Sequence, residues 1–494
     1  MRQASEVDAT VTIHDNYQIE LKLNYPLRQG TGKTFYEVGL YLFAPTSLGI
    51  NPGTYTKQQF YTDLQTYIRV KTPSIPLSRI DNGETSPLGR LRAVIEGMAR
   101  RPSRKAPALY ESQIKLFSCI LKSAVRDYVA YIYETTIAED REHLVDNYIR
   151  DIQRITSGYR DLRALIQLPG FGKRMAEIYL FGDEYISLLI EDYTYHLVEG
   201  LSACREGLGQ ERQKALMALI DAEVQYRSRR GYLSIPDETK DNETLVFRRS
   251  VLKKYMATVL FLEAKVKKGG IMMEQTLFGM AAGLAMLFAT TVAFISQSIY
   301  GNLTAPFFVV LVVSYIFKDR MKDLLRYYLS RKVTRFIFDY KTRIYNVARH
   351  VVGVCRESFE FIRRQKLAPE IRKLRDCDHI TEIENGWVGE QTFLYRKKIR
   401  LHPDWKGSIF SEYEIDGVHD IMRFNIQEFL RKMDDPNKEL FVMDDDGYHR
   451  IKGARVYHLN LIITLIGDQF RSYIRYRLIL NRKGIKRIEK VRII

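Results

Sequence analysis

The pattern of apolar and polar positions changes several times along the chain, and its most uniform stretch runs from Ile271 to Phe317. Residues 275–317 contain no Asp, Glu, Lys or Arg. A helix needs roughly 20 apolar residues to cross the ~30 Å hydrocarbon core of a bilayer. The stretch accommodates two such helices with a turn at residues 298–302. It therefore predicts a two-helix transmembrane hairpin over residues 269–319, with a shallow re-entrant hairpin as the alternative.

Basic residues flank this apolar stretch on both sides. Three precede it and three follow it: Lys265, Lys267, Lys268, Lys318, Arg320 and Lys322. Because the cytoplasmic flanks of membrane helices are enriched in Lys and Arg, these six side chains are expected to contact anionic lipid headgroups. The same rule predicts a multi-pass protein of the cytoplasmic (inner) membrane, with two spans and with both termini in the cytoplasm.

Small and polar side chains recur on one face of the first apolar helix. With Met286 they follow one another at alternating spacings of 3 and 4: Thr276, Gly279, Gly283, Thr290, Ala293 and Gln297. Small residues let two membrane helices approach closely. This face is therefore expected to pack on the second helix of the hairpin, or on another subunit. A pore lining is a third alternative, although no ionisable residue on this face would supply ion selectivity.

The first 109 residues predict a small β-rich region followed by a proline-rich irregular segment. Residues 8–25 partly alternate apolar and polar positions, and Phe35 to Phe43 forms a second strand candidate. Gly30 to Thr34 includes a Gly-Lys-Thr sequence typical of phosphate loops. The earlier glycine of that motif is missing, and a strand pattern follows where a helix is needed. The segment therefore predicts a hairpin loop and no nucleotide site.

Helical spacing dominates the middle of the chain. Residues 110–268 repeat apolar positions every three or four residues, which predicts a cytoplasmic helical bundle resembling a coiled coil. After the membrane segment, residues 320–376 predict a long basic stalk helix that continues the second membrane helix. Its apolar seam comprises Val333, Ile337, Tyr340, Ile344, Val347, Val351 and Val354.

The final segment, residues 377–494, predicts an α+β domain with an antiparallel sheet. Strands are expected at residues 392–395, 409–415, 456–466, 476–480 and 485–494, with an amphipathic helix over 420–432. Asp444 to Gly447 lies between two further strand candidates and predicts a hairpin turn. The fold class expected from the whole pattern is therefore mainly α with α+β parts, in an integral membrane protein.

The composition of the chain indicates an anionic partner but points to no catalytic or metal site. The chain has 494 residues and a formal net charge of +17, which suits an anionic membrane face, while nucleic acid is the less economical partner. Cys377, His379 and His402 lack the second ligand pair of a zinc site. Asp444 to Asp446 lie in an expected turn that offers a metal ion few converging oxygens. No catalytic, cofactor-binding or metal-binding residue is predicted.

These patterns favour a non-enzymatic membrane-anchored scaffold, sensor or partner-recruiting protein. Its expected partners are membrane lipids with anionic headgroups, together with a second copy of the chain or another protein; no small-molecule ligand or cofactor is predicted. One alternative is an oligomeric membrane effector or pore gated by the cytoplasmic domains. The other is a membrane-bound enzyme with its site in the C-terminal domain.

Overall fold

The computed structural model describes residues 7–27, 33–100, 106–167, 171–202, 209–239, 241–301, 304–333, 338–346, 349–376, 389–402, 409–445, 447–468 and 470–492. The chain forms two compact units. The sheet unit comprises Met1–Ile68, Glu263–Asp404 and His419–Ile494. The helical unit comprises Arg69–Leu262 and Trp405–Val418.

The strands of the described residues belong to three sheets, and every printed neighbour pair of the eight-stranded sheet is antiparallel. A four-stranded sheet has the order β1-β2-β9-β4, an eight-stranded sheet has the order β14-β13-β12-β3-β8-β7-β6-β5, and β10 and β11 form a hairpin. The strands are β1 (Asp8–Ile13), β2 (Gln18–Pro26), β3 (Thr34–Pro45), β4 (Leu64–Val70), β5 (Glu263–Lys268), β6 (Tyr340–Tyr345), β7 (Val351–Ile362), β8 (Glu390–Leu401), β9 (Gly417–Asn425), β10 (Asn437–Asp444), β11 (Gly447–Ala454), β12 (Tyr457–Gly467), β13 (Arg471–Asn481) and β14 (Gly484–Val491).

Strand β3 joins the two ends of the chain in one sheet. Its Leu40 lies opposite Ile463 of β12 on one side and opposite Tyr395 of β8 on the other. The expected β-rich N-terminal region and C-terminal α+β domain are therefore parts of a single unit. Helix and strand make up 51% and 29% of the structure, so the prediction of a mainly α protein is wrong.

The two large sheets enclose the core of the sheet unit. Leu21 of β2, Leu42 of β3 and Met422 of β9 line the apolar space between them. Phe60 adds an aromatic cluster, with its ring stacked on Phe359 at 4.1 Å between centroids. Residues 417–425, expected to include the start of a helix, form β9 because their side chains complete this core. The strand expected at residues 409–415 is also wrong, since the chain turns there.

The helices lie in both units. They are α1 (Lys57–Asp63), α2 (Pro87–Arg100), α3 (Ala106–Glu134), α4 (Ala138–Asp161), α5 (Arg163–Ile166), α6 (Lys173–Ser202), α7 (Gln210–Arg230), α8 (Glu243–Ala257), α9 (Ile271–Tyr300), α10 (Ala305–Val333), α11 (Pro369–Asp376) and α12 (Gln427–Leu430). The helical unit contains α2 to α8, and most of the apolar positions at helical spacing in α3, α4 and α6 are buried, including Ile114, Ile152 and Ile190. Helix α8 ends before residue 263, where the exposed strand β5 begins.

The predicted stalk helix is wrong beyond Val333, the last residue of α10. The chain then forms β6 and β7, which hold four of the predicted seam residues: Tyr340, Ile344, Val351 and Val354. Ile337 and Val347 lie outside the described residues. Alternate side chains of these strands are buried, including those of Thr342 and Ile344. This alternation, and pairing between β6 and β7, replaces the expected helical seam.

The prediction of two membrane-spanning helices is also wrong. Among the described residues one helical segment, Gln275–Tyr300 in α9, is long and apolar enough to cross a membrane. Helix α10 is apolar over residues 305–317, and beyond Phe317 it is rich in Lys, Arg and Asp. That apolar part extends for roughly 20 Å at 1.5 Å per residue, which is short of the ~30 Å hydrocarbon core.

Candidate functional site

Helices α9 and α10 lie between the end of β5 and the start of β6 in the chain. Lys268 of β5 lies opposite Tyr340 of β6, and the Gly269 N–H donates to the Asp339 carbonyl at 2.8 Å. A Cβ on Gly269 would lie 2.0 Å from the Phe338 carbonyl oxygen, so this close approach requires glycine. The two helices are therefore an insertion between β5 and β6, which are paired with each other.

The apolar side chains of this helix pair are exposed. Phe294, Ile299, Phe308 and Phe317 have exposed fractions of 68, 67, 67 and 61%. Other large exposed side chains of the pair are Met280, Leu284, Met286, Leu287, Ile295, Val309, Val312, Val313 and Ile316. Soluble proteins rarely expose apolar surface of this extent unless it is an interaction site. We call the apolar end of the pair, residues 280–317, the apolar tip.

The predicted packing face of α9 is only partly covered in the structure. Thr276, Gly279, Gly283 and Gln297 are exposed, whereas Thr290 and Ala293 are half-buried. A Cβ added at Gly279 or Gly283 would have nothing within 4 Å among the described residues. The small side chains buried along the pair are instead Ala281, Ala285 and Ser296 of α9, and Ser314 of α10. Packing of the predicted face on another subunit stays a prediction.

The six predicted headgroup residues fall into two separate groups. Lys318, Arg320 and Lys322 follow the apolar part of α10, and we call them the collar; the Lys318 ammonium lies 3.9 Å from the Tyr315 ring centroid. Lys265, Lys267 and Lys268 lie on β5 and are exposed. The remainder of α10 after Lys318 extends for roughly 22 Å. The collar is therefore well separated along the helix pair from the lysines of β5.

A charged cluster that the sequence did not indicate lies between the two large sheets. The Lys397 ammonium of β8 is 2.7 Å from Asp420 of β9 and 3.4 Å from Glu357 of β7. The Tyr25 hydroxyl donates to Asp420 at 3.3 Å, and the Tyr395 hydroxyl donates to Glu357 at 2.9 Å. Lys397 and Asp420 are 1 and 0% exposed. Because a substrate could not reach them without separating the sheets, we assign the cluster a structural role.

Burial and the excess of carboxylates determine the protonation of this cluster. Burial alone would lower the pKa of Lys397, but the surrounding negative charges, with Asp420 first, raise it well above its usual value. Burial raises the pKa of Asp420, and the Lys397 charge opposes that rise. Lys397 therefore keeps its ammonium charge at neutral pH.

The helical unit also contains buried ion pairs. Arg227 of α7 is fully buried and bonds to Glu191 of α6, while Arg248 of α8 approaches Glu184 of α6 at 2.6 Å. Arg160 of α4 lies 2.6 Å from Glu223 of α7. Heptad-like spacing identified the apolar faces of these helices, but it gave no indication of these ion pairs. They connect neighbouring helices and are paired, so we assign no chemistry to them.

The candidate metal ligands do not converge. No cluster of three or more His, Cys, Asp or Glu side chains among the described residues could hold a metal ion. Cys377 and His379 lie outside the described part, and His402 has basic neighbours. Asp444 is the exposed last residue of β10 and Asp445 lies in the turn that follows it, whereas Asp446 is outside the described residues. Searches of protein-family models, curated proteins and solved structures found no match to this chain.

Proposed function

We propose that this chain is a non-enzymatic scaffold, sensor or partner-recruiting protein that binds an anionic membrane through α9 and α10. The observation that carries the proposal is the exposed apolar tip with the cationic collar directly behind it. Fully burying one large apolar side chain stabilises by about 1.5–3 kcal/mol. Several such side chains supply enough free energy for stable binding, and Lys318 and Arg320 add about 1 kcal/mol each near an anionic surface, whereas Lys322 is paired with Asp319 at 4.0 Å.

The length of the apolar part of α10 supports a partial insertion that does not span the bilayer. Residues 305–317 extend for roughly 20 Å, whereas one leaflet of the ~30 Å hydrocarbon core accounts for about half of that thickness. The tip would therefore reach beyond the middle of the bilayer, with the collar at the level of the headgroups. Residues after Lys318 would remain outside the hydrocarbon.

The strand pairing in the sheet supports a helix pair that enters and leaves the membrane on the same side. Strand β5 precedes α9, β6 follows α10, and these two strands are hydrogen-bonded neighbours. A chain that crossed once would separate β5 from β6, and this pairing would be lost. One-sided insertion keeps the sheet intact and leaves the rest of the protein accessible to partners.

The distribution of the exposed side chains favours lipid as the occupant. They occur on both helices, and on α9 they cover the part of the surface that does not contact α10. A protein partner would bind one face of the pair, whereas lipid tails surround it. The buried ion pairs of Lys397 and Arg227 lie in the core of their units, which favours a binding role over catalysis.

Vesicle flotation tests the proposal directly. The Phe294→Asp/Ile299→Asp variant is expected to bind vesicles of phosphatidylcholine and phosphatidylglycerol at least roughly a hundredfold more weakly than the wild type, because two large apolar side chains are lost from the inserted surface. The matched control is Leu233→Asp/Phe247→Asp, because these side chains of the helical unit are 70 and 69% exposed. The control is expected to float like the wild type. Equal flotation of the tip variant and the wild type would contradict insertion of the tip.

A labelling experiment distinguishes partial insertion from spanning. Ser298→Cys, near the end of α9, is expected not to react with a membrane-impermeant maleimide enclosed inside the vesicles. Reaction of the same variant in detergent shows that the thiol is reactive. Labelling from inside the vesicles would contradict one-sided insertion while leaving membrane binding itself intact.

A further inference from the structure

The outer face of the eight-stranded sheet carries a row of cations across four neighbouring strands. Lys267 of β5 lies opposite Lys341 of β6, Lys341 opposite Arg356 of β7, and Arg356 opposite Lys398 of β8. Like charges directly opposite one another on adjacent strands are destabilising. An anion bound over the row would remove this repulsion.

A second row runs beside the first on the same face. Here Lys265 of β5 lies opposite Arg343 of β6, and Arg400 of β8 lies between Val354 of β7 and Phe35 of β3. The side chains of Arg343 and Arg400 are exposed, whereas the intervening residues of these strands, such as Lys397 and Ile399, face the core. The strand alternation therefore separates a buried ion cluster on one face from a surface rich in cations on the other.

Four of these cations line a concave site of about 240 Å³. Its polar lining consists of Lys33, Lys341, Arg356, Lys398, Arg400 and His402. No carboxylate lines the site within the part of the chain that the structure describes. Burial, followed by the charges of Lys33 and Arg400, lowers the pKa of His402, so its imidazole is neutral at pH 7.

Few of these cations are neutralised within the protein. Lys398 lies 2.9 Å from Glu37 of β3, which also approaches Arg396 at 3.5 Å. Lys341, Arg356 and Arg400 have no carboxylate within ion-pair distance among the residues that the structure describes. The site therefore holds an excess of positive charge in a concave space, where an anion is attracted more strongly than on a flat surface.

We infer that this concavity binds a compact ligand carrying two or more phosphate groups. Arg356 and Arg400 can each bond two phosphate oxygens, and the three lysines supply compact point charges. A volume of about 240 Å³ is below the usual range for drug-sized ligands and suits a small, highly charged one. Phe35 and His402 add ring surfaces beside the phosphate position. This inference does not depend on insertion of the apolar tip.

Titration with inorganic tripolyphosphate tests the inference on the full chain in detergent. The Arg356→Gln/Arg400→Gln variant is expected to bind about tenfold more weakly than the wild type, which corresponds to about 1.4 kcal/mol. The control is Lys438→Gln/Lys452→Gln, which removes the same charge from the exposed β10–β11 hairpin. Equal weakening in both variants, or no binding by the wild type at millimolar tripolyphosphate, would overturn the site.

Thermal unfolding supplies a second readout that separates ligand binding from misfolding. Without ligand, Arg356→Gln/Arg400→Gln is expected to unfold at a slightly higher temperature than the wild type, because repulsion across the strands is reduced. Tripolyphosphate is expected to raise the unfolding temperature of the wild type and of the control variant only. A full ligand-induced rise in the double variant contradicts the assignment.

Two further ligands identify the source of the phosphates. The first is tested by flotation with vesicles that contain phosphatidylinositol bisphosphate, with and without tripolyphosphate as competitor. If the competitor weakens flotation of the wild type and not of the double variant, the site binds a lipid headgroup. Flotation unaffected by the competitor, with tripolyphosphate binding retained, assigns the site to a soluble ligand. A single-stranded RNA that binds about tenfold more tightly than tripolyphosphate, with affinity rising with length, would overturn a compact site.

Discussion

Lys397 shows how one residue can determine the register of a core. Its neighbours on the inner face of β8 are Tyr395 and Ile399, both buried, and its ammonium is neutralised by carboxylates from β7 and β9. A buried ion pair is not in itself strongly stabilising, because desolvation offsets most of the attraction. Removing one member is costly, however, since the remaining charges stay buried without a partner.

The Lys397→Met variant is expected to lose about 3–5 kcal/mol of unfolding free energy, because Asp420 and Glu357 would remain buried without a cation. Urea denaturation at pH 7 measures the loss. Lys438→Met, on exposed β10, is the control and is expected to unfold like the wild type. The triple variant Lys397→Met/Glu357→Met/Asp420→Leu is expected to recover most of the loss. Equal midpoints for Lys397→Met and its control would contradict this account.

The sequence contained part of this information. In the strand expected around residues 392–395, continuing the alternation places Lys397 on the same face as Phe393, Tyr395 and Ile399. A lysine at an apolar position indicates a buried partner. The partner itself could not be predicted, because Asp420 lies on a strand of the other sheet and was assigned to a helix. Pairing between distant segments leaves no local pattern that would have identified β9.

At the scale of elements, the main finding is that α9 and α10 are inserted between two paired strands. Their bases meet where Gly269 approaches Asp339, so the strands close the hairpin without help from the helices. The apolar composition identified both helices, but the length of the apolar part of α10 does not support a second membrane span. Beyond α10, β-branched residues at positions 351, 352 and 354 favoured strand, although their spacing also fitted a helical seam.

Replacing α9 and α10 by a short Gly-Ser linker is expected to leave the eight-stranded sheet folded. The β5–β6 pairing supplies the closure, so the unfolding free energy is expected to stay within about 1 kcal/mol of the wild type. The shortened protein should be monodisperse without detergent and should no longer float with anionic vesicles. Light scattering, circular dichroism and flotation measure these properties. Loss of the β-sheet signal would show that the helices are needed to fold the sheet.

At the scale of the whole molecule, buried tyrosines and thiols limit stability at high pH. Burial raises the pKa of Tyr25, Tyr159 and Tyr395 well above 10.0, and it raises the pKa of Cys119 from 9.0 to about 12. Above these ordinary values the unfolded chain loses protons that the folded chain retains. Stability from these groups is therefore fully present below pH 9 and declines as the pH rises.

For Cys119 alone the loss is expected to reach about 2 kcal/mol by pH 10.5. Urea unfolding between pH 8 and pH 10.5 measures it. Cys119→Ala lowers stability at every pH because it leaves a small cavity, but its stability is expected to fall less steeply with pH than that of the wild type. Parallel pH profiles for the two proteins would show that the thiol does not contribute.

The position of β3 has a consequence for how the protein is made. Its two neighbours in the sheet, β8 and β12, are synthesised about 350 and 420 residues later. At about 5–20 residues per second, the ribosome needs roughly 20–80 s to complete them. Both edges of β3 lack their final partners during this time, when the whole helical unit is produced. Synthesis time, and not contact strength, determines how long the central strand is open to wrong partners.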